Sequence, residues 1–230
     1  MKIVAIIPAR GDSKRLLNKN ILKLKKKSLI TYTIEAAKKS KYIDQIIVST
    51  DSIIISKIAK KSNIKIPFIR PSILAKDKST SVEVVKHALN KISFQQAKYT
   101  HFILLQPTSP FRSQKHIDEA IELLVKKKAD SIVSVCECDH PIEWTGYLPI
   151  DESLNKFLNK NDFDKRSQEF KKSYKLNGAI YLLNIKKFFK KNSFFLGRNS
   201  YAYKMSKEDS IDIDTNLDYE LAKIIIKNKK

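Results

Sequence analysis

A chain that opens with Ile3-Val4-Ala5-Ile6-Ile7 and is halted by Pro8 commits early to one kind of sheet. An unbroken, mostly β-branched apolar run suits a strand covered on both faces, as in parallel sheets flanked by helices. The segment from Ala9 to Asn20 is polar and carries four cations, Arg10, Lys14, Arg15 and Lys19. A loop leaving the carboxyl end of the first strand of an open α/β sheet borders the crevice where such sheets bind ligands. Cations placed there call for a polyanion. Neither GxxxxGK[ST] nor GxGxxG is present, so the loop is not one of the common phosphate-binding turns.

The next elements repeat the strand and helix alternation. Ser28 is placed to cap a helix with Leu29, Ile30, Ile34 and Ala37 on one face, and Gln45 to Asp51 reads as a second buried strand. Strand, helix, strand is the unit of a parallel sheet. A helix through Ile55, Ile58 and Ala59 and a short strand at Ile66 to Ile69 are expected next, then an extended Arg70-Pro71. Val82, Val85, Leu89 and Ile92 recur at helical spacing behind Ser79, Thr80 and Ser81, whose hydroxyls are capping groups first. A strand at His101 to Leu105 runs into Gln106-Pro107-Thr108-Ser109-Pro110-Phe111-Arg112, and its two prolines make a rigid wall of the same crevice.

A helix through Ile117, Ala120, Ile121 and Leu124 and a strand at Ser131 to Val135 follow. From Asp139 to Lys175 apolar periodicity is lost, which predicts a surface excursion or an interaction arm. Strand character returns at Leu176 to Leu182, and a closing helix is expected over Asn216 to Lys227. Between them, Ser210-Ile211-Asp212-Ile213-Asp214-Thr215 alternates apolar and acidic residues. In an extended segment Asp212 and Asp214 share a face; their repulsion would be relieved by a divalent ion, for which hard carboxylate oxygens beside phosphates are the usual Mg²⁺ setting. The competing reading is an edge strand with solvated acids.

Composition narrows the class. With 230 residues, 42% of them apolar, the chain has enough material for one sizeable core, and no apolar run suits a membrane span or signal-peptide core. A cytoplasmic location is expected. The formal net charge of +21 is spread over every predicted helix, with short clusters at Lys25-Lys26-Lys27, Lys126-Lys127-Lys128 and Lys227-Asn228-Lys229-Lys230, so it reads as compositional bias rather than a nucleic-acid footprint. Cys136 and Cys138 stand two apart, unlike redox or zinc spacings, and are expected to be a reduced structural pair.

The string Pro8-Ala9-Arg10-Gly11-Asp12-Ser13-Lys14-Arg15 with Lys19-Asn20, then Leu104-Leu105-Gln106-Pro107-Thr108-Ser109-Pro110 with Arg112, then Asn177-Gly178-Ala179-Ile180-Tyr181, then Asp212-Ile213-Asp214-Thr215, resembles the motifs of the CMP-sialic acid synthetase family in the same order. The resemblance covers nearly the whole chain. It implies a Rossmann-like three-layer α/β sandwich with a mostly parallel sheet, built from residues 1–138 and 176–230, plus a small dimerisation insert at 139–175. It also implies a cytidylyltransferase that joins CTP to a nonulosonic acid with Mg²⁺, as a homodimer, engaging neither nucleic acid nor membrane.

Carried over residue by residue, Arg10, Lys19 and Asp214 are the catalytic candidates. Arg10, Gly11, Ser13, Lys14, Asn20, Thr80 and Ser81 are the nucleotide-binding ones, Gln106, Arg166 and Asn177 the sugar-binding ones, and Asp212 with Asp214 the metal ligands. Arg166 stands where the family arginine reaches the partner's site; a solvated charge is its alternative. Asp12, Leu17 and Lys25-Lys26-Lys27 depart from the family pattern and bear on the charge and stiffness of the phosphate loop. Glu143 stands near a lysine of sialic acid-using relatives, which points to a relative such as legionaminic acid, with Trp144 against the sugar, in the core or in the dimer. The rivals are a Kdo cytidylyltransferase, whose first loop is also a Pro-Ala-Arg type, and a non-catalytic basic nucleotide-binding protein.

Overall fold

Strand β1 (Ile3–Pro8) lies between two parallel neighbours, β4 (Gln45–Ser49) and β5 (His101–Leu104), and its side chains divide between two cores. Ile3, Ala5 and Ile7 face one helical layer while Val4 and Ile6 face the other, the alternation that a doubly covered strand requires. The computed structural model describes residues 1–92, 99–154, 157, 162 and 164–228. Part of the 139–175 excursion, and Lys229 and Lys230 of the terminal basic cluster, lie outside the described residues.

The six-stranded sheet has the order β4-β1-β5-β7-β6-β8, completed by β6 (Ser131–Glu137), β7 (Tyr174–Asn184) and β8 (Ser200–Lys204). β7 is antiparallel to both of its neighbours and the remaining pairings are parallel. One face carries α1 (Leu29–Lys39), α2 (Ile53–Lys61) and α4 (Gln114–Lys127); the other carries α3 (Ser81–Lys91) and α5 (Ile185–Lys191). The expected three-layer sandwich is therefore present. A third cluster, Leu24, Leu29, Phe111, Ile213 and Ala222, seats the closing helix α6 (Asn216–Asn228) against a small hairpin, β2 (Lys23–Leu24) and β3 (Lys27–Ser28).

Two expectations are corrected. No strand forms at Ile66 to Ile69: Pro67 lacks an N–H, and the segment touches the sheet side through one backbone bond, Arg70 N–H to Thr50 O at 2.8 Å. Residues 211–214 are extended but unpaired with the sheet, behind a 3-10 turn at Glu208–Ser210, so the edge-strand alternative fails. The excursion leaves the sheet after Glu137 and returns at Tyr174, so Tyr174 and Lys175 already belong to β7; its stem is closed by Cys138 N–H to Ser173 O at 2.9 Å. Cys136 is buried, Cys138 is half-buried, and both are free thiols.

The turn after β5 is locked from beneath. Arg112 is 1% exposed, and its Nη2 donates to Thr33 Oγ1 at 2.8 Å and to the Gln106 carbonyl at 3.3 Å. Thr33 Oγ1 also donates to that carbonyl at 3.3 Å. Complete burial pulls the guanidinium down to about 9, because desolvation disfavours its charged form. Thr33→Val, which keeps the shape and removes the hydroxyl, is expected to cost about 1.5–3 kcal/mol in chemical denaturation; a loss under about 0.5 kcal/mol would show that the lock contributes little.

Candidate active site

The loop after β1 folds back over the carboxyl ends of β1, β4 and β5. Ala9 N–H bonds Ser49 O at 2.9 Å, and Gly11 N–H bonds the Asp51 carboxylate at 2.9 Å. A Cβ on Gly11 would stand 2.9 Å from the Ser52 Cβ, so the loop packs closely on the helix start at this residue. Asn18 takes the left-handed conformation before a 3-10 turn at Lys19–Ile21, and the buried Asn20 amide donates to Arg10 O at 2.9 Å, stitching the loop to itself.

Two chambers open above the sheet. The first, of about 330 Å³, is lined by Arg10, Ser13, Arg15, Lys19, Asn20, Arg70, Asp77, Ser81, Thr108, Asp212 and Asp214 among others. The second, of about 700 Å³, is bounded by Glu137, Asp139, Lys175, Asn177, Tyr181, Lys207 and the inner side of α6. Gln106 and Asp212 line both and mark the junction.

Charge in the first chamber is arranged in pairs. Lys19 Nζ lies 2.5 Å from Asp214 Oδ1, and Arg15 reaches Asp214 Oδ2 at 2.7 Å. Asp77 meets Arg10 at 2.8 Å and Lys14 at 2.7 Å. Bonding to Asp77 raises the Lys14 pKa above its usual value, with Asp12 adding a smaller push in the same direction. Asp12 itself is exposed, and Arg15 turns to Asp214 instead of offsetting it.

Asp212 and Asp214 flank the fully buried Ile213, whose N–H bonds Thr108 O at 2.8 Å, and so both carboxylates reach the cleft. Burial pushes the Asp212 carboxyl up; the Thr108 hydroxyl opposes this and Asp214 adds to it. A buried carboxylate next to a second one is a setting a hard divalent cation suits. Among the described residues no third His, Cys, Asp or Glu joins them, so the remaining ligands of such an ion would be phosphate oxygens and water, the usual pattern for Mg²⁺.

The other candidates separate. Ser81 lines the first chamber, whereas Thr80 is engaged in a capping box with Glu83 and does not. Lys14 stands at the rim. Asn177 borders the second chamber with its amide engaged at both ends: Oδ1 accepts from Ser134 at 2.5 Å and Ala179 N–H at 3.2 Å, and Nδ2 donates to Ser210 at 2.9 Å. Arg166 is exposed on the excursion and lines neither chamber of its own chain, and neither does Glu143. Trp144 packs edge-on to Phe170 at 5.7 Å and donates to Asp162 O, inside the excursion.

Sequence reasoning passed over Arg70 and Asp77. Arg70 is 4% exposed, donates to Ser49 O and lines the first chamber, and burial lowers it to about 10. A lone arginine before proline, after a short apolar stretch, was the available signal. Gly178, at φ +73°, brings the β7 backbone against the junction: a Cβ there would stand 3.4 Å from Gln106 Nε2 and 3.6 Å from Asp212 Oδ2. Gly178→Ala is expected to lower stability by roughly 1–2 kcal/mol through left-handed strain, read by chemical denaturation.

Comparison with known proteins places this geometry. Residues 4–222 match the family model described as cytidylyltransferase. The chain is 42% identical to the N-acylneuraminate cytidylyltransferase of Escherichia coli O18:K1:H7, over 100% of this chain and 53% of that protein. It is 36% identical to the CMP-N,N'-diacetyllegionaminic acid synthase of Legionella pneumophila, over 96% of this chain and 94% of that one. It thus spans about half the length of the first relative and nearly all of the second. A solved CMP:2-keto-3-deoxy-manno-octonic acid synthetase complexed with CTP superposes with a TM-score of 0.74 over 100% of both chains at 14% identity, a likeness of fold alone. Matched by the family model over residues 4–222 and by relatives of this identity, this chain belongs to the cytidylyltransferase family.

Proposed function

We propose that the protein transfers CMP from CTP to the anomeric hydroxyl of a nonulosonic acid and releases pyrophosphate. The observation that carries the proposal is the pair of chambers meeting at Gln106 and Asp212, one lined by loop cations and the carboxylates they bond and the other by mixed charged, polar and apolar groups. The relatives named for N-acylneuraminate and diacetyllegionaminate support this acceptor class over Kdo.

In this reaction a bond forms between the anomeric oxygen and the α-phosphorus, the bond from the α-phosphorus to the bridging oxygen breaks, and the hydroxyl proton passes to a base. Such chemistry asks for alignment and for stabilisation of the departing charge. Arg10, Arg15 and Lys19 line the first chamber with Lys14 beside them at its rim, and together they would hold the triphosphate and then the pyrophosphate. Asn20 fixes the loop beneath them. Asp212 and Asp214 would hold Mg²⁺, which supplies neutralisation of phosphate charge when bound. Gln106, at the junction, orients the acceptor toward the nucleotide.

The excursion exposes Ile142, Tyr147, Leu148, Ile150 and Leu154, apolar side chains that a second copy would cover. We propose a homodimer through this excursion, with Arg166 directed to the acceptor chamber of the partner. Sedimentation velocity is expected to give a dimer mass, and Ile150→Asp to shift it toward the monomer.

Pyrophosphate release from CTP with Mg²⁺, measured in parallel with N-acetylneuraminate, legionaminate, pseudaminate and Kdo, is expected to respond to a nonulosonic acid and not to Kdo. Release with Kdo alone, or none from a protein that binds CTP, overturns the proposed acceptor class. Asp214→Asn is expected to lower kcat by about 10²-fold or more, the scale of losing one electrostatic stabiliser, with the circular dichroism unchanged.

A further inference from the structure

We propose that Asp77 stands in for a phosphate group at the mouth of the nucleotide chamber, so that its displacement sets how tightly the loop takes up triphosphate and how readily it gives up pyrophosphate. The inference rests on the reading that the loop receives the phosphates of CTP.

The geometry is that of a substitute anion. Asp77 Oδ1 lies 2.8 Å from Arg10 Nη1 and Oδ2 lies 2.7 Å from Lys14 Nζ, one oxygen for each cation, as two non-bridging phosphate oxygens would be shared. Arg10 and Asp77 both line the chamber. The four loop cations are thereby divided between two carboxylates, with Asp214 taking Arg15 and Lys19. Only Asp214 has a second role in the proposed chemistry.

Asp77 is also held in place. Its segment begins at the buried Arg70, turns through a 3-10 helix at Ser72–Ala75 and ends at the Thr80–Glu83 capping box of α3. The Ser79 hydroxyl donates to Ile73 O at 2.8 Å across the turn. A carboxylate anchored on both sides returns to the same cations whenever they are free. A polyphosphate that uses Arg10 and Lys14 must therefore separate both ion pairs first, and the affinity of CTP and of pyrophosphate falls by a common factor. A ligand without phosphates meets no such competition. When pyrophosphate leaves, the re-forming pairs oppose its return.

Calorimetric titration of inorganic pyrophosphate, CTP and cytidine into wild type, Asp77→Asn, Lys14→Ala and the double variant tests this. Asp77→Asn is expected to bind pyrophosphate and CTP roughly three- to tenfold more tightly, the scale of one or two solvent-exposed ion pairs, with cytidine unchanged. The gain should shrink in the Lys14→Ala background, and pyrophosphate should inhibit turnover by Asp77→Asn at correspondingly lower concentration. Asp77→Ser repeats the test without a side-chain amide. If wild type binds pyrophosphate and neither Asp77 variant, folded as judged by circular dichroism, binds it more tightly, the stand-in is overturned. If wild type binds neither pyrophosphate nor CTP, the failure lies in the nucleotide reading beneath it.

Discussion

A guanidinium with no carboxylate partner among the described residues, sealed in the protein at 1% exposure, ties the turn after β5 to α1, the helix that comes after the β1 loop. Arg112 reaches Thr33 on α1 and the carbonyl of Gln106 together, and the hydroxyl of Thr33 closes the triangle. Gln106 is the residue at which the two chambers meet, so the position of that junction is inherited from a contact made below the sheet's end. Burying an unpaired charge is costly unless hydrogen bonds compensate it. The compensation is partial: Nη2 is held by the main-chain and hydroxyl oxygens, while Nε and Nη1 are buried with no hydrogen-bond partner among the described residues.

Above that foundation, the site is an arrangement of charge held in reserve. Each carboxylate of the first chamber that bonds to the loop bridges two cations, which keeps four positive side chains within a small volume without a bound anion. Asp212 stands apart, buried beside Asp214 and against Thr108, with its protonated form favoured by its surroundings. The loop is thus ordered by attraction at its two sides and by Asn20 and Asp51 at its base.

Much of this was legible in the sequence because the relevant signals are short-range. The run at β1 alternates between two cores as its composition requires, and Ser28 and Thr80 stand at the starts of their helices. What escaped depends on distant partners. That Asp214 belongs to Lys19 is a relation across 195 positions. That Asp77 closes on Arg10 follows from the path of an irregular segment with no periodicity to read. Asn177 showed in the sequence as part of a motif, while its engagement with Ser134 and Ser210 appears only when three elements converge. β8 and α5 were missed for another reason: β8 is five residues long and has no clear apolar alternation, and in the short α5 the apolar residues interleave with lysines.

The stem of the excursion lies where β6 ends and β7 begins, closed between Cys138 and Ser173, and its flanking residues Glu137, Asp139 and Lys175 are themselves walls of the second chamber. The first chamber draws on other parts of the chain, the loop after β1, the segment before α3 and the turn after β5. The fold therefore keeps two nearly independent inheritances. Lengthening, shortening or resequencing the excursion would reshape the outer wall of the second chamber, while the walls of the first that come from the loop after β1 and the segment before α3 lie elsewhere in the chain. A lineage built on this plan is free to rebuild one of its two spaces while keeping the other.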